Sequence, residues 1–260
     1  MVKRARRVQP DEQLTLVEHL DELRTRIIVV LAVLTVSVSV CFWQSEGLLK
    51  FLAQPLPDRI EHRPGGVFLA LSPLDGLMTS ISIAIYGGLL LALPIATYQF
   101  YAFIIPAFSE HYHRHLRPLI LLIPALFICG VVFGWYLVVP PALDFLYGFN
   151  ADAFNQQPRA REYIQFVLLT LVAMGVVFEM PAVMLILARI GVVSSAMMRR
   201  HWRISIVALA VLAMLLPGVD PISYIVEFIP LLLLYGVSYF IVVAVERGRR
   251  SDEPDAEPLT

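Results

Sequence analysis

The residue in this sequence most suited to chemistry is a carboxylate surrounded by hydrocarbon. Glu179 sits in Gly175-Val176-Val177-Phe178-Glu179-Met180-Pro181, inside a segment otherwise apolar from Tyr163 to Ala188. At about 1.5 Å per residue that segment can cross a bilayer core of about 30 Å, which places Glu179 within the membrane. An intramembrane carboxylate costs roughly 2.5–3.5 kcal/mol on insertion scales, so it is expected to face a protein interior or a wet cavity. Two chemistries fit. One is a functional polar contact or proton site; the other is a carboxyl paired with Ser or Thr that only pins two helices together. Glu227 adds a second acid, about 10 Å deep if its helix starts at the turn before Ile222.

A second constellation lies before the first apolar run. Leu16, Leu20, Leu23 and Ile27 recur at helical spacing after a capping-box pattern at Thr15–Glu18. The other face carries Glu18, Asp21, Glu22, Arg24 and Arg26, with Glu22 and Arg26 four apart and able to pair. This predicts an amphipathic helix over 15–26 meeting the membrane. Elsewhere, His111-x-His113-x-His115 beside Glu110 has alternate spacing that points ligands about 200° apart on a helix, and no second ligand cluster accompanies it. No metal or other cofactor is expected. Metalloprotease, nucleophile-elbow and phosphate-loop patterns are absent, so neither a hydrolase nor an ATPase is supported.

The elements that position these groups follow from composition. With 58% hydrophobic residues, 16% charged and a mean hydropathy of +0.73, the chain is a polytopic membrane protein. Charge-free runs predict an all-α fold with six spans at 27–45, 76–97, 118–140, 163–188, 204–217 and 222–245, the fifth and sixth helices short. Leu48, Leu49, Phe51 and Leu52 predict a short interfacial helix in the first large loop. A polar, acidic tail over 251–260 is expected to be disordered. Pro181 removes a hydrogen bond to the Val177 carbonyl and predicts a kink beside Glu179. The spans look poor in small residues, and their proline kinks predict a concave bundle face. Of the 20 Lys and Arg, only Lys50, Arg59, Arg63, Arg159 and Arg161 fall on one side of these spans; the positive-inside rule then puts both termini in the cytosol. Cys41 and Cys129 lie in apolar runs and read as small hydrophobes. Two functional classes fit so far: a proton-coupled secondary transporter using Glu179 and Glu227, and a scaffold that presents buried polar groups to other helices. Internal repeats would favour the transporter, and the two halves differ in loop and span length.

Six stretches carry a resemblance over residues 14–246. They are His19-Leu20-Asp21-Glu22-Leu23-Arg24-Thr25-Arg26, Pro94-Ile95-Ala96-Thr97-Tyr98-Gln99, Phe103-x-x-Pro106-Ala107-Phe108, Gly134-Trp135-Tyr136-Leu137-Val138-Val139-Pro140, Phe178-Glu179-Met180-Pro181 and Leu216-Pro217-Gly218-Val219-Asp220-Pro221. In this order the chain resembles the TatC family, the multispanning receptor subunit of the twin-arginine protein translocase. The resemblance implies a non-catalytic protein of a prokaryotic inner membrane that receives folded cargo through signal peptides bearing two adjacent arginines. It also implies single-span TatA/TatB-type partners and a drive from the proton-motive force. Carried over by position, Glu22 is the cytosolic glutamate of arginine-pair recognition, with Glu18 and Arg24 beside it. Glu179 is the intramembrane glutamate, and Gln165, Asp220, Tyr224 and Glu227 are further polar positions for partner contact. The family's second loop glutamate, six residues after Pro106, is Tyr112 here, which leaves Glu110 as the nearby acid; its glutamine four after Asp220 is Tyr224.

Overall fold

The structure is a computed structural model that describes residues 16–57, 68–104, 110–151, 157–217 and 221–251, without the side chains of 16–18, 110–121 and 248–251. The capping box at Thr15, the turn aspartate Asp220 and the tail from 252 onward lie outside the described residues, as do the side chains of Glu18, Glu110 and Tyr112.

In chain order the helices are α1 (Leu16–Trp43), α2 (Ser45–Leu52), α3 (Asp75–Ser82), α4 (Gly88–Ile104), α5 (Glu110–Phe133), α6 (Val139–Gly148), α7 (Ala160–Phe178), α8 (Met180–Arg189), α9 (Ser195–Arg200), α10 (Trp202–Leu215) and α11 (Pro221–Ser251). A π turn, Ile83–Gly87, joins α3 to α4, and a second, Gly134–Val138, joins α5 to α6. The protein is all-helical, with one isolated bridge between Leu69 and Arg159 among the described residues. Among the described residues, five stretches are long and apolar enough to cross a membrane: His19–Trp43, Asp75–Ile104, Leu122–Gly148, Ala160–Arg189 and Pro221–Arg247. Trp202–Leu215 is a shorter apolar helix. At about 1.5 Å per residue the 14 residues of α10 reach only about 21 Å.

Several elements differ from the sequence expectation. The amphipathic segment and the first span form one continuous helix, because the Glu22–Arg26 pair sits on a single face and lets the polar turns run straight into the apolar ones. The second span continues past Pro94 to Ile104, and the expected loop at 110–117 is helical. Pro140 and Pro141 do not end the third span; they fall in the first turn of α6, where no intrahelical N–H is needed. The fifth helix is short, but the sixth is not: α11 runs 31 residues through Pro230 into the charged turn around Glu246 and Arg247. Its polar end is therefore helical as well, beyond the apolar run that the hydropathy delimits.

The interior spans are packed through small residues, contrary to expectation. A Cβ on Gly130 would lie 2.5 Å from the carbonyl oxygen of Met174, one on Gly175 2.6 Å from the Phe127 ring, and one on Gly88 2.7 Å from the Cα of Val38. These glycines let α5 approach α7, and α4 approach α1, at backbone distance. Apolar clusters then close both ends of the bundle. Leu52, Leu56, Ile83, Val139, Leu143 and Tyr163 join α2, α6 and α7 at one end, where the Tyr163 hydroxyl donates to the Leu52 carbonyl at 2.6 Å. Tyr101, Ile123, Ala182 and Ile186 join α4, α5 and α8 at the other. On the flank, α10 packs on α11, which lies along α8.

Candidate functional site: a groove between the first and second spans

The kink at Glu179 is local in origin. Pro181 carries no N–H, so α7 stops at Phe178 and α8 restarts at Met180 with Pro181 in its first turn. The Glu179 amide donates to the Val176 carbonyl at 3.1 Å, one residue short of the α-helical partner, and its own carbonyl accepts from Val183 at 3.0 Å. This break turns the carboxyl toward α4. Glu179 is 6% exposed. Its carboxyl faces the Thr97 hydroxyl, and among the described residues Oε1 has no hydrogen-bond partner. The hydroxyl of Thr97 also reaches the Pro94 carbonyl at 3.2 Å.

Glu179 forms the deep wall of a cavity of about 520 Å³ between α1 and α4. Leu23, Ile27, Val30 and Leu31 supply the α1 wall; Ala96, Thr97, Phe100 and Phe103 supply that of α4. The spacing of the α1 residues puts them on one helical stripe. At the rim, Arg26 donates through Nε to Glu22 Oε1 at 3.0 Å, through Nη1 to Gln99 Oε1 at 2.9 Å and through Nη2 to the Ala102 carbonyl at 3.1 Å. That carbonyl belongs to the last turn of α4, where cationic donors satisfy otherwise unpaired acceptors. Beside it, the His19 ring stacks on Phe103 with centroids 4.3 Å apart.

The groove thus gathers Glu22, Glu179 and the pairing residue Arg26. It adds Thr97 and Gln99, to which the sequence alone assigns no role. Their signal is a lone hydroxyl and a lone amide in residues 83–108, which are otherwise free of polar groups apart from tyrosine. Arg24 is exposed on α1 outside the lining. The other polar positions sit elsewhere. Gln165 is half-buried near the start of α7, at the opposite end of the bundle from Arg26. Tyr224 stacks on Phe228 at 5.7 Å and packs with Val177, Leu209 and Leu231. Glu227 is 1% exposed on α11, one turn from the fully buried Ser223. Glu227 is not among the residues that line the cavity walled by Glu179. Among the described residues no group of three His, Cys, Asp or Glu could hold a metal ion.

The family model for the Sec-independent protein translocase protein (TatC) matches residues 18–230, which includes both walls of the groove. The chain belongs to the TatC family. A TatC of Magnetococcus marinus is 32% identical over 95% of this chain and 90% of its own, and one of Deinococcus radiodurans 35% identical over 90% of each. The crystal structure of a twin-arginine translocase receptor TatC superposes with a TM-score of 0.75 at 32% identity, over 88% of this chain and all of that one. TatC membership makes the protein a multi-pass membrane component of the Sec-independent translocase, acting in protein transport. TatC is a translocase family rather than a family of enzymes.

Proposed function

We propose that this TatC-family chain receives the twin-arginine signal peptides of folded cargo at the rim of the α1–α4 groove, from the cytosolic face of a prokaryotic inner membrane. The observation that carries the reading is a partly exposed carboxylate, Glu22, at the mouth of an apolar groove that leads to a buried acid. Arginine is always charged and presents a planar fork to a carboxylate, so a partly dehydrated rim favours it. The apolar part of a signal peptide then has Leu23, Ile27 and Val30 to lie against. Glu18 and Arg24 on α1, and Tyr112 and Glu110 in the first turns of α5, complete the proposed recognition set, with Tyr112 assigned to stacking on a guanidinium.

Glu179, with one carboxyl oxygen unpartnered, offers a polar contact to a transmembrane helix of a single-span TatA/TatB-type subunit. Gln165, Asp220, Tyr224 and Glu227 make up a second set of polar positions for such helices. The proton-motive force drives transport. The skew of Lys and Arg supports cytosolic termini. Photocrosslinking of a twin-arginine signal peptide in membranes tests the site: Glu22→Ala abolishes the adduct, Tyr112→Ala weakens it and Glu110→Gln changes it little. An adduct that survives Glu22→Ala unchanged refutes the assignment.

A further inference from the structure

Arg26 is held more firmly than an ordinary arginine on a helix face. Its side chain is 23% exposed. Nε and Nη2 both donate to Oε1 of Glu22, at 3.0 and 2.5 Å, while Nη1 is bound to Gln99 and Nη2 also to the Ala102 carbonyl. A guanidinium has five N–H donors, so four are engaged, two of them by a different helix. An unanchored i,i+4 pair would be weak and readily exchanged. This one is fixed across the α1–α4 interface.

Both bonds to Glu22 fall on a single oxygen. The other, Oε2, faces Nδ1 of His19 at 3.9 Å, beyond hydrogen-bonding length. Among the described residues, the carboxylate is therefore half occupied from within the chain. Arginine binds a carboxylate most strongly through two parallel N–H···O bonds, one to each oxygen. A residue of the same chain blocks that mode here.

We propose that Arg26 is a specificity-determining residue: an internal arginine that takes one half of the Glu22 carboxylate, denies two-pronged capture to any single arginine of a ligand, and makes firm binding depend on a second cationic contact. The proposal rests on the signal-peptide reading above. A lone arginine gains one charge-assisted bond, to Oε2. A pair gains that bond and brings a second guanidinium to the rim, where exposed Asp21 is the next acidic residue along α1.

The test uses the full chain in detergent with two fluorescent probes, a twin-arginine signal peptide and the same peptide with one arginine replaced by glutamine. The readout is the ratio of their affinities, which a merely structural role for Arg26 would not move. Arg26→Gln opens both oxygens and should raise the affinity of the single-arginine peptide about tenfold, with a smaller gain for the twin-arginine one, so the ratio narrows. Gln99→Ala loosens the anchor but keeps the charge and should narrow the ratio less. An unchanged or widened ratio in Arg26→Gln, with Glu22→Ala still abolishing binding, overturns the proposal and leaves the site standing. If Arg26→Gln does not fold, an unchanged ratio in Gln99→Ala overturns it. Binding of both peptides that is indifferent to Glu22→Ala refutes the site and the proposal together.

Discussion

Replacing Glu179 by leucine is expected to make the isolated chain more stable and its assembly with partners weaker. The acid is 6% exposed, its carboxyl faces Thr97, and Oε1 has no partner among the described residues. A buried polar atom left unpaired costs about 1–3 kcal/mol, and leucine removes that cost. Thr97 is not orphaned by the change, because its hydroxyl still reaches the Pro94 carbonyl at 3.2 Å. The purified Glu179→Leu chain should therefore resist unfolding by added SDS by about 1–3 kcal/mol more than wild type, while losing a co-purifying single-span subunit. Glu179→Gln keeps the shape and the hydrogen-bonding capacity, and should keep most of the export activity. A Glu179→Leu chain less stable than wild type would refute the reasoning, since the carboxyl would then be pinning α7 and α8 to α4. A Gln variant as inactive as Leu, in intact complexes, would instead point to a proton relay.

Gly130→Ala should destabilise the chain by about 1–3 kcal/mol, because the added methyl meets the Met174 carbonyl at 2.5 Å; Gly236→Ala, with nothing within 4 Å, should not, and equal unfolding midpoints for the two would refute the close crossing. Tyr163→Phe removes the 2.6 Å bond to the Leu52 carbonyl and should cost about 1–3 kcal/mol in the same measurement. On a background without Cys41 and Cys129, cysteines at Lys50 and Arg159 should react with an impermeant maleimide from outside intact cells, and one at Arg200 only after lysis; labelling of Arg200 in intact cells would overturn the orientation.

The spans were legible in the sequence wherever charge vanished for a membrane's thickness. Glu179 was legible as a lone acid in such a run, and the break beside it followed from Pro181, since a missing N–H is a local fact. The rim was legible only in part. Glu22 and Arg26 are four residues apart and helical periodicity pairs them, but Gln99 lies 73 residues from Arg26 and no local pattern joins them. The glycine crossings were missed for the same reason: Gly130 and Gly175 matter because of what stands opposite, Met174 and Phe127, which a count of small residues does not reveal. Glu22, Arg26 and their apolar neighbours also read as two segments, a polar helix and then a span, although one unbroken helix satisfies both patterns.

The two π turns bear on how spans of this kind can drift in length. Each holds one residue more than the α turn it replaces, and one residue corresponds to about 100° of helix. Ile83–Gly87 thus separates two halves of one span whose inward faces are out of phase: Thr79 and Ser82 are buried before it, Gly88 and Ala92 after it. A single helical wheel drawn through residues 75–104 would assign the wrong lipid face to one half. Deleting one residue there should close the turn into regular helix and rotate residues 75–82 alone, leaving Arg26's partners Gln99 and Ala102 where they are. Such a turn acts as a phase joint, where an insertion or deletion inside a membrane span is absorbed by one end without disturbing the chemistry at the other.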